Sequence, residues 1–394
     1  MRKALLVVVA LVVIVVGGWF AVRAYATTRE NRAAAVAWPA RLGSLADVPK
    51  RFPDTEQSES ATKLIALASA AHVNLAPRNR SSMPETKPDP MKAIRKDVGE
   101  YVKAQLQRSG DAIDAPPPAV AQYLAENAAA LDAARDHILG GAPIVWESKL
   151  SKGWDAPIPN LAGHMTLQKM FAARALDKAR NKDASAWEDL RASWRLNRGF
   201  WSRPDMISII IALESSRVVN ATARKMPLPA AAWLGETFTF DYAGPMAAAQ
   251  QADAWIVHRG AERSVAWKEL LREVEYRMQS TEYLDVMRTY TGEALKSKAC
   301  DATSPEFATA RASITAASPL SAMPNLTAVW HRLMRFRAEL EATERVLQLR
   351  AGEKLTVNSR CSDGTWQLTP NGMKFSRAID VMGPQINVPL AYTH

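Results

Sequence analysis

Hydrophobic positions along this chain fall into distinct regimes. Residues 4–22, ALLVVVALVVIVVGGWFAV, are apolar throughout and carry no charge. From about residue 57 to Gly352, apolar residues recur three and four apart, the spacing of an amphipathic helix. Beyond Gly352, short β-prone segments alternate with turn dipeptides. The pattern predicts a mainly α protein with an N-terminal transmembrane helix, a multi-helix body of αα-hairpins, and a small C-terminal antiparallel β-meander. The boundaries follow: 1–26 an anchor, 27–56 a proline-marked stalk or lead-in, 57–352 a helical domain, and 353–394 a β-rich tail packed on the last helix.

Within the body, helices are expected at 58–72, 91–108, 118–137, 167–182, 184–201, 204–225, 227–237, 244–258, 260–298 and 324–351. The proline-rich segment 77–90 and the stretch 142–163 read as long connections, and 303–324 as a proline/serine region. The pair 167–182 and 184–201 resembles one tetratricopeptide-type helix pair, but no further copies follow to build a solenoid. Residues 206–213, MISIIIAL, are apolar on every face and mark the central buried helix. Gly352 terminates the last helix. In the tail, 355–361, 365–369 and 373–379 are expected strands, separated by Asp363-Gly364 and Asn371-Gly372.

The leader admits two readings. At about 1.5 Å per residue its length nearly spans a ~30 Å hydrocarbon core, which makes it a signal anchor. Ala24-Tyr25-Ala26 also matches a signal-peptidase pattern, which would release the chain near Ala26. The run is longer than a usual signal-peptide core, and Arg23 sits inside the cleavage region, so the retained anchor is preferred. Arg2 and Lys3 put the N-terminus in the cytoplasm and the bulk outside it. The expectation is a single-pass bacterial inner-membrane protein, in contact with lipid through residues 4–22, with its body in the periplasm.

Charge modifies this picture only slightly. The net charge of +10 comes from Arg and Lys mixed with Asp and Glu, without a dense basic block, so nucleic acid is not an expected partner. Cys300 and Cys361 are candidates for a disulfide in an oxidising compartment; neither has the companions of a zinc site. No cofactor or metal fingerprint is present: there is no H-E-x-x-H, Walker loop, G-x-S-x-G or dinucleotide motif.

The order of features, with ATKLIALASAAHVNLAP at 61–77 and AARALDKARNKDASAWEDLRASWRLNRGFWSRPDMISIIIALESS at 172–216, resembles a group of signal-anchored helical proteins of bacterial envelopes. The resemblance covers about half the chain. It implies a location and a helical fold, and transfers no catalytic residue.

Two constellations carry possible chemistry. Glu214-Ser215, within IIIALESSRV, resembles the Glu-Ser of lytic transglycosylases, where the glutamate is the general acid. The glycine-rich segment that should follow is missing, and the plainer reading is a helix carboxylate paired with Arg217 or Arg224. Trp187, Trp194 and Trp201 recur every seven residues and share a helix face, with Arg191 and Arg195 beside them. Such a stripe is either helix–helix core edged by arginine stems or, if exposed, a partner-binding surface. The expected function is a membrane-anchored extracytoplasmic scaffold or partner-binding protein, its partner a protein or envelope component. The alternative is a peptidoglycan-active hydrolase or lyase using Glu214.

Overall fold

The protein enters its body through α1 (Arg2–Ala35), one unbroken helix. In the computed structural model, residues 2–77, 91–263, 270–308, 312, 326–355, 357–381 and 386–393 are described. The first turns of α1 are exposed: Leu5, Leu11, Ile14, Phe20 and Val22 are all more than half exposed. From Ala26 the same helix is packed, with Ala26, Glu30, Ala33 and Ala34 turned inward. Its most apolar 18-residue window, within Leu5–Ala35, has a mean hydropathy of 3.0, long and apolar enough to cross a membrane. The expected stalk over 27–56 is therefore part of the body. Alanine-rich sequence continues the helix, and Trp38, Leu42, Leu45 and Val48 then enter the main core.

The body follows as α2 (Glu59–Ala70), α3 (Lys92–Leu106), α4 (Pro118–Glu126), α5 (Ala128–Gly140), α6 (Leu161–Arg180), α7 (Ala186–Trp201) and α8 (Met206–Lys225). Then come α9 (Leu234–Thr239), α10 (Ala243–Arg263), α11 (Leu270–Lys296) and α12 (Leu326–Arg350). Local chemistry sets several of the starts. Ser58 accepts from Ala61 N at 3.1 Å to open α2, and Asp205 accepts from Ser208 N at 2.8 Å to open α8. The helix expected over 118–137 breaks into α4 and α5 at Asn127, whose side-chain amide donates back to Tyr123 O at 2.8 Å. Gly352, at φ +73°, ends α12 in the left-handed conformation glycine tolerates.

The α6–α7 hairpin, α8 and α12 make the centre. Helix α8 packs against α6, α7, α10 and α12. Phe171, Trp194, Phe200, Tyr290, Trp330 and Phe336 are fully buried around it. Helix α11 lies along both α1 and α10. The expected connection 77–90 lies outside the described residues except at Pro77, as do Val265, Trp267 and most of 303–324.

The tail differs in one strand. β1 (Trp366–Thr369) and β2 (Gly372–Phe375) form the expected antiparallel hairpin, with Thr369 opposite Gly372. The third strand is β3 (Ala391–Thr393), antiparallel to β2, and not 355–361. That segment makes one backbone hydrogen bond to β1, from Trp366 N to Val357 O at 2.9 Å, and is otherwise held by side chains: Glu341 accepts from Ser359 Oγ at 2.6 Å, Arg345 donates to Asn358 O, and Cys361 is bonded to Cys300. A Cβ at Gly372 would lie 2.0 Å from Tyr392 O, so only glycine lets β3 come alongside.

Candidate functional site

The facing sides of α6 and α8 enclose a cavity of about 230 Å³. Helical spacing selects what lines it: Met165, Gln168 and Lys169 from α6, and Ile211, Glu214, Ser215 and Val218 from α8. Arg332 of α12 and Ile386 of the tail complete the wall. Glu214, one of the two sequence candidates, thus reaches a cavity. One of its oxygens accepts from Arg217 Nη1 at 3.0 Å; the other, Oε1, is buried without a hydrogen-bond partner among the described residues. Burial pushes the Glu214 carboxyl above the ordinary carboxylate range, against the pull of Arg217 and Arg332.

Behind Glu214 runs a buried ion network. Arg217 donates Nε and Nη2 to Glu339 at 2.8 and 2.7 Å, and Arg335 Nε donates to the same carboxylate at 3.0 Å. Arg217 Nη2 also reaches Ile386 O at 3.0 Å, and Arg335 Nη2 reaches Val388 O at 2.8 Å. The network therefore fastens the tail beside the cavity, where Ile386 forms part of the wall. These charges are stable inside the fold because each guanidinium has both a carboxylate and carbonyl acceptors.

Two further polar groups face the cavity from α6. Gln168, 1% exposed, accepts from Ser193 Oγ at 3.1 Å while its Nε2 has no partner among the described residues. Lys169 is half-buried, and burial lowers its pKa, although Glu100 and Glu214 pull the other way. On its far side Lys169 also borders a second cavity of about 240 Å³, rimmed by Arg95, Lys96, Glu100 and Lys103 of α3. None of Gln168, Lys169, Arg332 or Glu339 stood out in the sequence. A charge within an amphipathic helix gives no sign of whether it meets solvent or a cavity.

The tryptophan stripe is core. Trp187, Trp194 and Trp201 are 8%, 1% and 3% exposed, so the partner-binding surface expected there is not formed. Their shared face turns toward the segment leading out of α8. Trp187 meets Trp233 edge-on at 6.4 Å, Trp194 meets Phe240 at 5.5 Å, and Trp201 meets Tyr242 at 5.2 Å. Arg191 and Arg195 stay on the exposed edge, and Arg195 donates to Leu139 O. Trp201 also donates Nε1 to Ser216 Oγ at 3.3 Å, tying α7 to the cavity-lining helix.

The two cysteines are joined. Cys300 and Cys361 form a disulfide with their Cα atoms 5.3 Å apart, linking the end of α11 to the lead-in of the β-hairpin. Asp363 lies close to both sulfurs, but its oxygens accept from Cys300 N and Asp301 N at 3.0 and 3.1 Å. Both sulfurs are taken up by the bond.

Searches against protein-family models, curated proteins and solved structures find no match for the chain.

Proposed function

We propose that this is a membrane-anchored extracytoplasmic protein whose helical body acts by binding, as a scaffold or partner-binding unit of the bacterial envelope. In this reading α1 crosses the inner membrane with its N-terminus in the cytoplasm, and the body stands in the periplasm. What carries the reading is the change of character along α1. Its first turns expose a continuous apolar surface, and within the same helix its last turns are ion-paired to the body. Trp19 and Tyr25 flank this transition, with Arg23 and Arg29 5.5 and 5.9 Å from their ring centres, the composition of a membrane–water interface. The packing of Ala26 and Glu30 also favours a retained anchor over cleavage near Ala26, because the cleavage site is wound into a packed helix.

The reading is tested by alkaline extraction of membranes together with a reporter fused after His394. Retention in the membrane pellet at the full-length mass, with a reporter active only outside the cytoplasm, supports it. A soluble full-length product, or a mature product beginning near Thr27, overturns the anchor.

A second reading, a peptidoglycan hydrolase or lyase, is favoured by one observation: a glutamate with a raised pKa lines a cavity. Against it, Glu214 is paired with Arg217, and the cavity is smaller than the roughly 300–1,000 Å³ of ordinary ligand clefts, whereas a glycan strand is long. A peptidoglycan zymogram comparing wild type with Glu214→Gln decides. Clearing that depends on Glu214 supports the enzyme, and absence of clearing removes it.

A further inference from the structure

The cavity between α6 and α8 concentrates polar groups that the protein itself leaves unsatisfied. Gln168 Nε2, Glu214 Oε1 and Arg332 Nε have no hydrogen-bond partner among the described residues. The Lys169 ammonium makes no hydrogen bond or ion pair there either. Buried polar groups are ordinarily paired, so several exceptions around one space point to something that fills it.

Charge indicates what that is. Glu214 and Glu339 are two carboxylates matched by Arg217 and Arg335, which leaves that network neutral. Across the second cavity Glu100 is engaged by Lys103 at 3.8 Å. Lys169 and Arg332 remain as positive charges lining the cavity without an ion pair among the described residues, although Glu214 in the same wall attracts both and Glu100 attracts Lys169. Gln168 contributes a further donor beside Lys169, so three donor groups meet one free acceptor oxygen. Apart from Ser215, the other walls are apolar: Met165, Ile210, Ile211, Val218 and Ile386. Water would satisfy the donors but would leave these walls wetted at a cost.

We propose that this cavity binds a small amphiphilic organic anion. Its carboxylate or phosphate is held by Lys169, Arg332 and Gln168, and its apolar part lies against Ile210, Ile211 and Val218. An engineered apolar cavity of about 150 Å³ accepts benzene, so about 230 Å³ accommodates a ligand of roughly ten non-hydrogen atoms, an aryl or branched alkyl acid in size. The anionic end belongs at Lys169 because that residue and Ile386 border both cavities, and the second is rimmed by Arg95, Lys96 and Lys103. A longer ligand, free or lipid-borne, would extend its polar end that way. This site goes beyond the scaffold reading and does not depend on where α1 resides.

The experiment is fluorine NMR on the full-length protein in nanodiscs, with 4-fluorobenzoate, 4-fluorophenyl phosphate and the neutral 4-fluorobenzyl alcohol, and with inorganic phosphate as competitor. At least one aryl anion should bind at least tenfold more tightly than the alcohol. Lys169→Met and Arg332→Met should each weaken it at least tenfold, while Lys169→Arg keeps most of the affinity. Inorganic phosphate, lacking the apolar part, should compete poorly. Equal affinity for the alcohol and the anions overturns the charge assignment, and no binding of any probe at millimolar concentration means the cavity holds water only. Anion binding unchanged in Lys169→Met places the ligand elsewhere and also overturns the proposal. If either methionine variant fails to fold, Ile211→Trp fills the cavity from its apolar side and should abolish binding. Competition by a short-chain phosphatidic acid, set against octyl phosphate, separates a lipid-borne source from a free one.

Discussion

Arg23 and Glu273 stand 250 residues apart and meet in a two-pronged ion pair, Nε and Nη2 each 3.1 Å from a carboxylate oxygen. Arg277 Nε donates to the same carboxylate at 3.0 Å, its Nη1 reaches Glu30 at 2.7 Å, and Glu30 also contacts His258 at 3.0 Å. The chain of charges clamps the end of the apolar helix to α11. It fixes how the body is set against whatever surrounds the first turns of α1.

Breaking the clamp should loosen the junction without unfolding the body. The Arg23 side chain is 34% exposed, so Arg23→Ala should cost only about 1 kcal/mol or less. Glu273→Ala removes the acceptor of both Arg23 and Arg277 and should cost more. Hydrogen exchange over 24–35 should accelerate in Glu273→Ala while α7 and α8 keep their protection. Burial disfavours the charged Glu273, but the hydrogen bonds from Arg23 and Arg277 outweigh it and hold its pKa below the ordinary range. A depressed carboxylate stabilises the fold above its unfolded value, and the contribution disappears as pH falls through the folded value. The junction should therefore keep its protection at neutral pH and lose it only in acid below the ordinary carboxylate range.

His164 should make the protein acid-sensitive. It is fully buried between Trp146 and Phe200, ring centres 4.5 and 4.6 Å away, and both ring nitrogens lack partners among the described residues. Burial first, and then Arg203, push its pKa down to about 3. The folded ring stays neutral while the unfolded one takes a proton below about pH 6.5, so stability falls as pH drops from there toward 3. Between pH 7.5 and pH 5 this group alone should remove about 2 kcal/mol. Urea titrations of wild type and His164→Leu should show that difference shrinking in the variant; parallel pH profiles would count against the assignment.

The disulfide should matter more than its position near the C-terminus suggests. It closes a sequence separation of 61 residues, worth about 4 kcal/mol in the chain-entropy description. Cys300→Ser with Cys361→Ser, or reduction of the wild type, should lower the urea midpoint accordingly. Superimposable curves with and without reductant would remove this contribution.

Glu339 should tolerate no truncation. Its side chain is 3% exposed and serves two guanidiniums, so Glu339→Ala strands both and should cost about 3–5 kcal/mol. Joint replacement of Arg217, Arg335 and Glu339 by methionine together with Glu214→Gln should cost less than Glu339→Ala, because Glu214 also loses its Arg217 partner and no unpaired charge then remains. Thermal unfolding of the variants measures both.

The sequence announced some of these features and hid others. MISIIIAL was readable as a buried centre because it offers no polar face, and 78% of the most apolar window of α8 is indeed buried. Ser58 and Gly352 were readable because caps act within one turn. Trp187, Trp194 and Trp201 could be placed on one face but not assigned to core or surface. That depends on Trp233, Phe240 and Tyr242, which reach them from another element. The segment 355–361 has strand-like composition, yet it makes a single backbone hydrogen bond to β1, Trp366 N to Val357 O, while Glu341 and Arg345 of α12 take up Arg360 N and Asn358 O.

The sequence by itself determined the local and periodic properties: an uncharged apolar leader, helices with one buried stripe, and a glycine-marked hairpin. Each depends on residues within a few positions of one another. Tertiary structure alone decided which charges meet. Arg23 with Glu273, Arg217 with Glu339, and Lys169 and Arg332 lining one cavity bring together residues far apart in the chain. Electrostatic and cavity energies depend on distance in space and on the exclusion of water, and neither exists until the helices have packed.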